Sequence, residues 1–142
     1  MLLRRARVGH LATADRRGQP YVVPICFVFD GYAIFTPIDK KPKRVAPRQL
    51  RRVRNIDANA RVALMVDAYR EDWRRLWHIL VLGTAKVIQP GATDHERAVQ
   101  LLRRKYRQYR TMRLEDSLVL QIAPHRITSW RAGTRSRIPR SS

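Results

Sequence analysis

The chain has a single cysteine, Cys26, among its 142 residues, so no internal disulfide can form. It also lacks long hydrophobic runs: no apolar stretch approaches the roughly 20 residues a helix needs to cross a bilayer. The opening Met-Leu-Leu-Arg-Arg-Ala-Arg lacks the apolar core of a secretion signal. Together these absences place the expected compartment in the cytoplasm. The histidines His10, His78, His95 and His125 show no pair at metal-ligand spacing, and one cysteine cannot build a zinc site. No Ser-His-acid set or nucleophile motif is present, and Cys26, within an apolar strand, reads as a small buried hydrophobe. Acidic residues are scarce, 11 against 30 Lys and Arg, for a net charge of +19. Such an excess raises affinity for any polyanion. The cations are mostly arginine and run along the whole chain, a pattern that an arginine-biased genome produces as readily as nucleic-acid binding. Charge therefore describes the surface and does not make nucleic acid an expected partner.

What is present is enough for one globular domain. A hydrophobic fraction of 44% and a charged fraction of 29% fit neither a disordered chain nor a membrane protein. Residues 1–133 are expected to form the domain and 134–142 a frayed basic tail. Residues 1–9 read as the end of a helix closed by Gly9. A first strand follows over 10–14, then a turn over 15–20. Residues 21–29 are apolar on both alternating faces, which predicts a strand buried on both sides with Pro24 at an edge or bulge. Asp30-Gly31 signals a hairpin into a strand over 32–36. A helix is expected from Pro47 to about residue 56, strands over 62–67 and 76–89 with Gly83 at a bulge, and a helix over 93–110. That helix begins with Thr93 and Glu96 at capping-box spacing. Two closing strands, 117–123 and 127–130, are expected to be separated by Pro124-His125. Successive hairpins favour an antiparallel barrel with helices, an α+β arrangement, over a doubly wound fold.

Between the third strand and the helix after it, Thr36 is followed by Lys40, Lys41, Lys43 and Arg44. A strand-end hydroxyl with several convergent cations is a suitable phosphate cradle, because charge-assisted hydrogen bonds are roughly twice as strong as neutral ones. A solvated basic loop is the competing reading of the same residues.

In this order and spacing, several segments resemble the pyridoxamine 5′-phosphate oxidase-like superfamily of split β-barrel, FMN-binding-protein-like folds. They are His10-Leu-Ala-Thr-Ala, Gly18-Gln-Pro-Tyr-Val-Val-Pro24, Asp30-Gly31, Thr36, Lys41-Pro-Lys-Arg44, residues 55–62, Asp72-Trp-Arg-Arg-Leu-Trp77, Gly83-Thr-Ala, Lys105-Tyr106 and Trp130. Within that superfamily the chain is most similar to the F420-dependent oxidoreductases. The resemblance implies a split β-barrel of six to seven antiparallel strands, a homodimer, and a cofactor in each of two grooves at the interface. It implies that Thr36, Lys41, Lys43 and Arg44 hold the cofactor phosphate and that the backbone at Pro24 and Ile25 runs along the ring. Trp77 or Trp130 would lie beside the ring, one of them from the partner subunit. Arg51, with Arg48 and Arg52, would meet the polyglutamate tail of F420, and a solvated helix face is the competing reading. The implied activity is hydride transfer from reduced F420 to a small unsaturated or quinoid acceptor. The alternatives are FMN in the same fold, as an oxidase or flavin reductase, and a non-catalytic cofactor carrier or polyanion binder. No catalytic side chain is identified, which suits chemistry carried by a cofactor.

Overall fold

The structure is a computed structural model and describes residues 2–38 and 46–133; the basic segment 39–45 and the tail from 134 lie outside the described residues. Seven strands form one antiparallel sheet: β1 (Gly9–Ala14), β2 (Pro20–Ile25), β3 (Val28–Phe29), β4 (Ile34–Pro37), β5 (Arg61–Ala68), β6 (Trp77–Ile88) and β7 (Val119–Arg131). Their order is β2-β1-β5-β6-β7-β4-β3, and the sheet curls into a split β-barrel. Three helices accompany it: α1 (Leu2–Arg5), α2 (Arg51–Ala58) and α3 (Thr93–Lys105).

The sheet's concave face carries Leu11, Leu64, Val81 and Ile122, all essentially without solvent exposure. In register, Leu11 opposes Leu64 and Leu64 opposes Val81, so one inward row crosses three strands. Val53 and Ile56 of α2 and Leu3 of α1 close this core from outside the sheet. A second, smaller core lies under α3, where Ala98, Val99 and Leu102 pack on Phe35, Ile88 and Val119. The Asp30 turn joins the two. Its carboxylate accepts the N–H of Tyr32 and Ala33, each at 2.7 Å, and pairs with Arg97 of α3 at 2.7 Å. Burial alone would raise the Asp30 pKa, but those two N–H groups and Arg97 outweigh it and hold it below its ordinary 3.8.

Several expectations are corrected. Residues 21–29 form not one strand buried on both sides but two, at opposite edges of the sheet. In β2, Tyr21 is 39% and Val22 62% exposed. Pro24 does sit in an edge strand, where its missing N–H costs no ladder bond on the open side. Gly9 opens β1 instead of closing a helix, and α1 spans only Leu2–Arg5. The helix expected from Pro47 begins as a 3-10 turn (Pro47–Gln49), breaks at extended Leu50, and resumes as α2. Ala92, not Thr93, caps α3, so the capping box does not form, and the helix ends at Lys105 before a separate 3-10 turn.

The two expected closing strands are one, β7, which passes straight through Pro124. The register slips between Leu82 and Gly83: Leu82 opposes Arg126 and Gly83 opposes Pro124, leaving His125 as the extra residue. A bulge is one of the few places where a sheet tolerates a residue without an N–H. Gly83 is required on the facing strand, because a Cβ there would stand 2.3 Å from the Ala123 carbonyl oxygen. That atom belongs to the backbone of the central pair and cannot swing aside. Gly83→Ala is expected to destabilise the fold by about 1–3 kcal/mol, an overpacking penalty. Urea denaturation should read this as a lower midpoint with an unchanged slope.

Candidate functional site

A cleft of about 390 Å³ opens along the free edge of β2. Tyr21, Val23, Pro24 and Ile25 form one wall, Thr36 and Pro37 at the end of β4 the floor, and Leu50, Arg51 and Arg52 the opposite rim. Because β2 bonds only β1, its other side presents unpaired backbone groups to the cleft. The break at Leu50 turns the first two arginines of α2 toward this opening, and Arg51 also lies over the Tyr21 ring at 5.8 Å.

Four of the nine residues predicted from sequence therefore converge here: Pro24, Ile25, Thr36 and Arg51. Thr36 is buried, and its hydroxyl donates to the Cys26 carbonyl at 2.7 Å, so its proton is already committed within the chain. Lys41, Lys43 and Arg44 lie outside the described residues, although Pro37 and Leu50, on either side of that segment, both line the cleft. Trp77 and Trp130 do not line it within one chain. Trp77 is half-buried against the main core. Trp130 is 38% exposed on the convex face and stacks on His78, ring centroids 5.6 Å apart.

Sequence reasoning missed the group behind the cleft. Cys26 is half-buried and lines the cleft, not a hidden core residue. The next residue, Phe27, leaves the ladder altogether, and its backbone is satisfied by the end of α3. The Phe27 N–H donates to the Tyr106 hydroxyl at 3.0 Å, and its carbonyl accepts from Lys105 Nζ at 2.8 Å. The Tyr106 hydroxyl has one proton and two carbonyls within reach, Arg7 at 2.8 Å and Phe27 at 2.9 Å. The Arg7 guanidinium lies over the Tyr106 ring and donates to the Lys105 carbonyl. Lys105 Nζ also sits 4.2 Å from the Phe27 ring centroid. Burial, then the Arg7 charge, pushes the Lys105 ammonium down to about 8. Burial pushes the Tyr106 phenol up to about 12. The signal was the Lys-Tyr pair itself at the end of an amphipathic helix, but the sequence does not show that its target is a main-chain group 78 residues away.

The histidines are placed elsewhere. His95 Nε2 meets the Ser117 carbonyl at 2.6 Å, His125 meets the Thr84 hydroxyl at 3.0 Å, and His10 is on the exposed face of β1. Among the described residues no three His, Cys, Asp or Glu side chains gather as a metal site. Nor is any described helix long and apolar enough to cross a membrane.

The family model described as pyridoxamine 5′-phosphate oxidase matches residues 1–131, so the chain belongs to that family. No curated protein matches the sequence. Among solved structures, the heme storage protein HutZ of Vibrio cholerae superposes with a TM-score of 0.69 at 18% identity, covering 90% of this chain and 87% of that one. A FAD-binding protein of Mesorhizobium loti gives 0.65 at 22% identity, covering 90% and 88%. An F420 reductase gives 0.62 at 21% identity, covering 89% and 93%. At these identities the likeness is one of fold.

The Lys105 environment has a consequence for stability. Folded, this amine releases its proton near 8; unfolded, it holds it to its ordinary 10.5. Between those values the unfolded chain binds more protons, so this group's contribution to stability rises with pH across the window. Tyr106 acts in the opposite sense, since above 10 the folded phenol keeps the proton that the unfolded one loses. Urea midpoints compared across pH 8–10.5 are expected to favour the parent increasingly over Lys105→Met. A difference that does not vary with pH would mean that the ammonium is not desolvated.

Proposed function

We propose that the chain is a cytoplasmic, homodimeric oxidoreductase that binds F420 in the cleft beside β2 and passes a hydride to a small unsaturated or quinoid substrate. The observation that carries the reading is the meeting, at one cleft, of an open strand edge, an apolar wall and the arginines of α2. A flat heteroaromatic ring needs the first two, and an anionic side arm needs the third. The residues present fit such a group. Bound there, the deazaflavin would supply the hydride chemistry. Val23, Ile25 and Leu50 would exclude water from the ring's surroundings, the main chain at Pro24 and Ile25 would orient it, and Arg51 and Arg52 would hold the anionic arm. Lys41, Lys43 and Arg44 are assigned to the phosphate by the same reading. No described side chain in the cleft is an obvious proton donor to substrate, so the assigned roles are binding and positioning.

FMN in the same cleft, as an oxidase or flavin reductase, is the alternative that shares most of these contacts. The net charge of +19 favours the more anionic F420. Heme is a less supported ligand: it requires an axial donor, and among the described residues no histidine lines the cleft and only Cys26, Tyr21 and Tyr109 offer one there.

A second copy of the chain belongs to this proposal. The convex face exposes Val22 at 62%, Met65 at 37%, Leu82 at 36% and Trp130 at 38%. Paired positions align two of these across the strands: Val22 opposes Ala12, Ala12 opposes Ala63, and Ala63 opposes Leu82. An apolar band continuous over four strands is the kind of surface that normally marks an interface. It also gives Trp130 a route to a partner's cofactor that it lacks within its own chain.

Light scattering on the purified protein at micromolar concentration is expected to give the dimer mass, and a monomer mass would remove the shared-groove arrangement. Titration with F420, FMN and hemin, followed by fluorescence and absorbance, tests the ligand. F420 is expected to bind most tightly, with affinity falling as salt is raised, because exposed charges are screened over about 8–10 Å at ordinary ionic strength. Arg51→Glu should weaken F420 by about 1.5–3 kcal/mol, the scale of a charged hydrogen bond, and FMN by less. Tighter FMN binding at every salt concentration would reverse the choice of cofactor, and a tight Soret-absorbing complex would favour heme.

A further inference from the structure

Arg51 also borders a second concavity on the far side of the cleft rim. It encloses about 850 Å³ between the β1–β2 turn and α2, and Arg16, Arg17, Arg51 and Arg54 line it together with Asp15 and Asp57. Both carboxylates are already engaged. Asp15 accepts the N–H groups of Arg17 at 2.8 Å and Gln19 at 2.9 Å, which shapes the turn. Those contacts, Gln19 first, hold its pKa below 3.8. Asp57 pairs with Arg48 at 3.6 Å. Arg16, Arg17 and Arg54 form no ion pair with a carboxylate among the described residues.

The two segments that carry these cations are held in place. Buried Asn55 of α2 donates from Nδ2 to the buried Thr13 hydroxyl of β1 at 2.9 Å. Arg51 is stacked on Tyr21 of β2. The fold therefore keeps four guanidiniums around one hollow against their mutual repulsion, offset only in part by Asp15, whose charge is felt by Arg17 and Arg51, and by Asp57, which is paired with Arg48. Planar guanidiniums from two elements suit bidentate contact with phosphate or carboxylate oxygens.

We propose that this concavity is an anion-binding site for a group carrying at least two phosphates or carboxylates, distinct from the ring cleft and joined to it by Arg51. Such a group could be the anionic extension of a molecule seated in the cleft or a separate small polyanion; the chemistry of recognition is the same. The site does not depend on the identity of the cofactor.

Calorimetric titration of the intact protein with inorganic pyrophosphate and with a short oligoglutamate peptide tests it. Arg16→Glu/Arg54→Glu is compared with Arg104→Glu/Arg107→Glu, which makes the same charge change at exposed positions outside the hollow. Saturable binding is expected in the parent and in the control, weakened about tenfold or more in the first variant. Equal weakening in both variants, or no saturable binding of either probe by the parent, would overturn the site and leave a general basic surface. Circular dichroism checks both variants. If the first is misfolded, Arg16→Glu alone, in an exposed turn, carries the comparison. Repeating the titrations with F420 and FMN separates the sources. A loss confined to F420 assigns the site to the extension of a cleft ligand. Undiminished pyrophosphate binding with the cleft filled assigns it to an independent anion. Failure of both cofactors to bind, with pyrophosphate still bound, would sink the cofactor reading and leave this one intact.

Discussion

The chain must pass from one edge of its sheet to the other within a few residues, because β2 and β3 are consecutive in sequence yet lie at opposite ends of the strand order. At that crossing the main chain of buried Phe27 has no ladder partner. A buried, unsatisfied peptide group would cost about 1–3 kcal/mol for each missing partner. The end of α3 removes the problem: the Tyr106 hydroxyl takes the N–H and the Lys105 ammonium caps the carbonyl. Arg7, from the segment before β1, completes the arrangement by stacking on Tyr106. One contact set thus joins the N-terminal segment, the crossing between the two edge strands and the last helix.

The cleft is a by-product of the same crossing. Once the chain leaves β2 at Ile25, that strand keeps an unpaired side, and Cys26 and Thr36 close the gap behind it through one hydrogen bond. The break at Leu50 then decides what faces the gap. A helix running unbroken from Pro47 would present its arginines at different angles; the extended residue restarts the helical phase, so that Arg51 and Arg52 reach the cleft while Val53 and Ile56 stay in the core. Lys105 shows how much such placement changes a side chain: a cation that would be solvated on most helices is here half-buried, with its affinity for protons lowered.

The strands were legible where one face alone is buried. Around β5 and β6 the alternation, the Gly83 bulge and the strand ends all follow from period-2 patterning and a glycine in an apolar run. The pattern failed where both faces are apolar for different reasons. Residues 21–29 looked like one doubly buried strand because the sequence does not separate apolar side chains facing a core from those on an uncovered convex face, such as Val22. Pro124 looked like a strand break because its neighbour across the sheet, Gly83, is 41 residues away and only their pairing makes the proline harmless. Of the site, Pro24, Ile25, Thr36 and Arg51 were legible through a resemblance carried by the whole order of motifs, and the structure brings those four to one cleft.

Composition and local pattern by themselves determined the antiparallel barrel class, the number of strands to within one, and the hairpins at 15–20 and 30–31, because turn chemistry and side-chain alternation act over a few residues. They also determined the strongly basic surface, which is a matter of counting charges. Only the tertiary structure decided which apolar residues are core and which are exposed, which arginines converge, and which polar groups satisfy Phe27. Each of those depends on distances between residues far apart in the chain, and a desolvated or unpaired group exists only once the fold has brought its neighbours together.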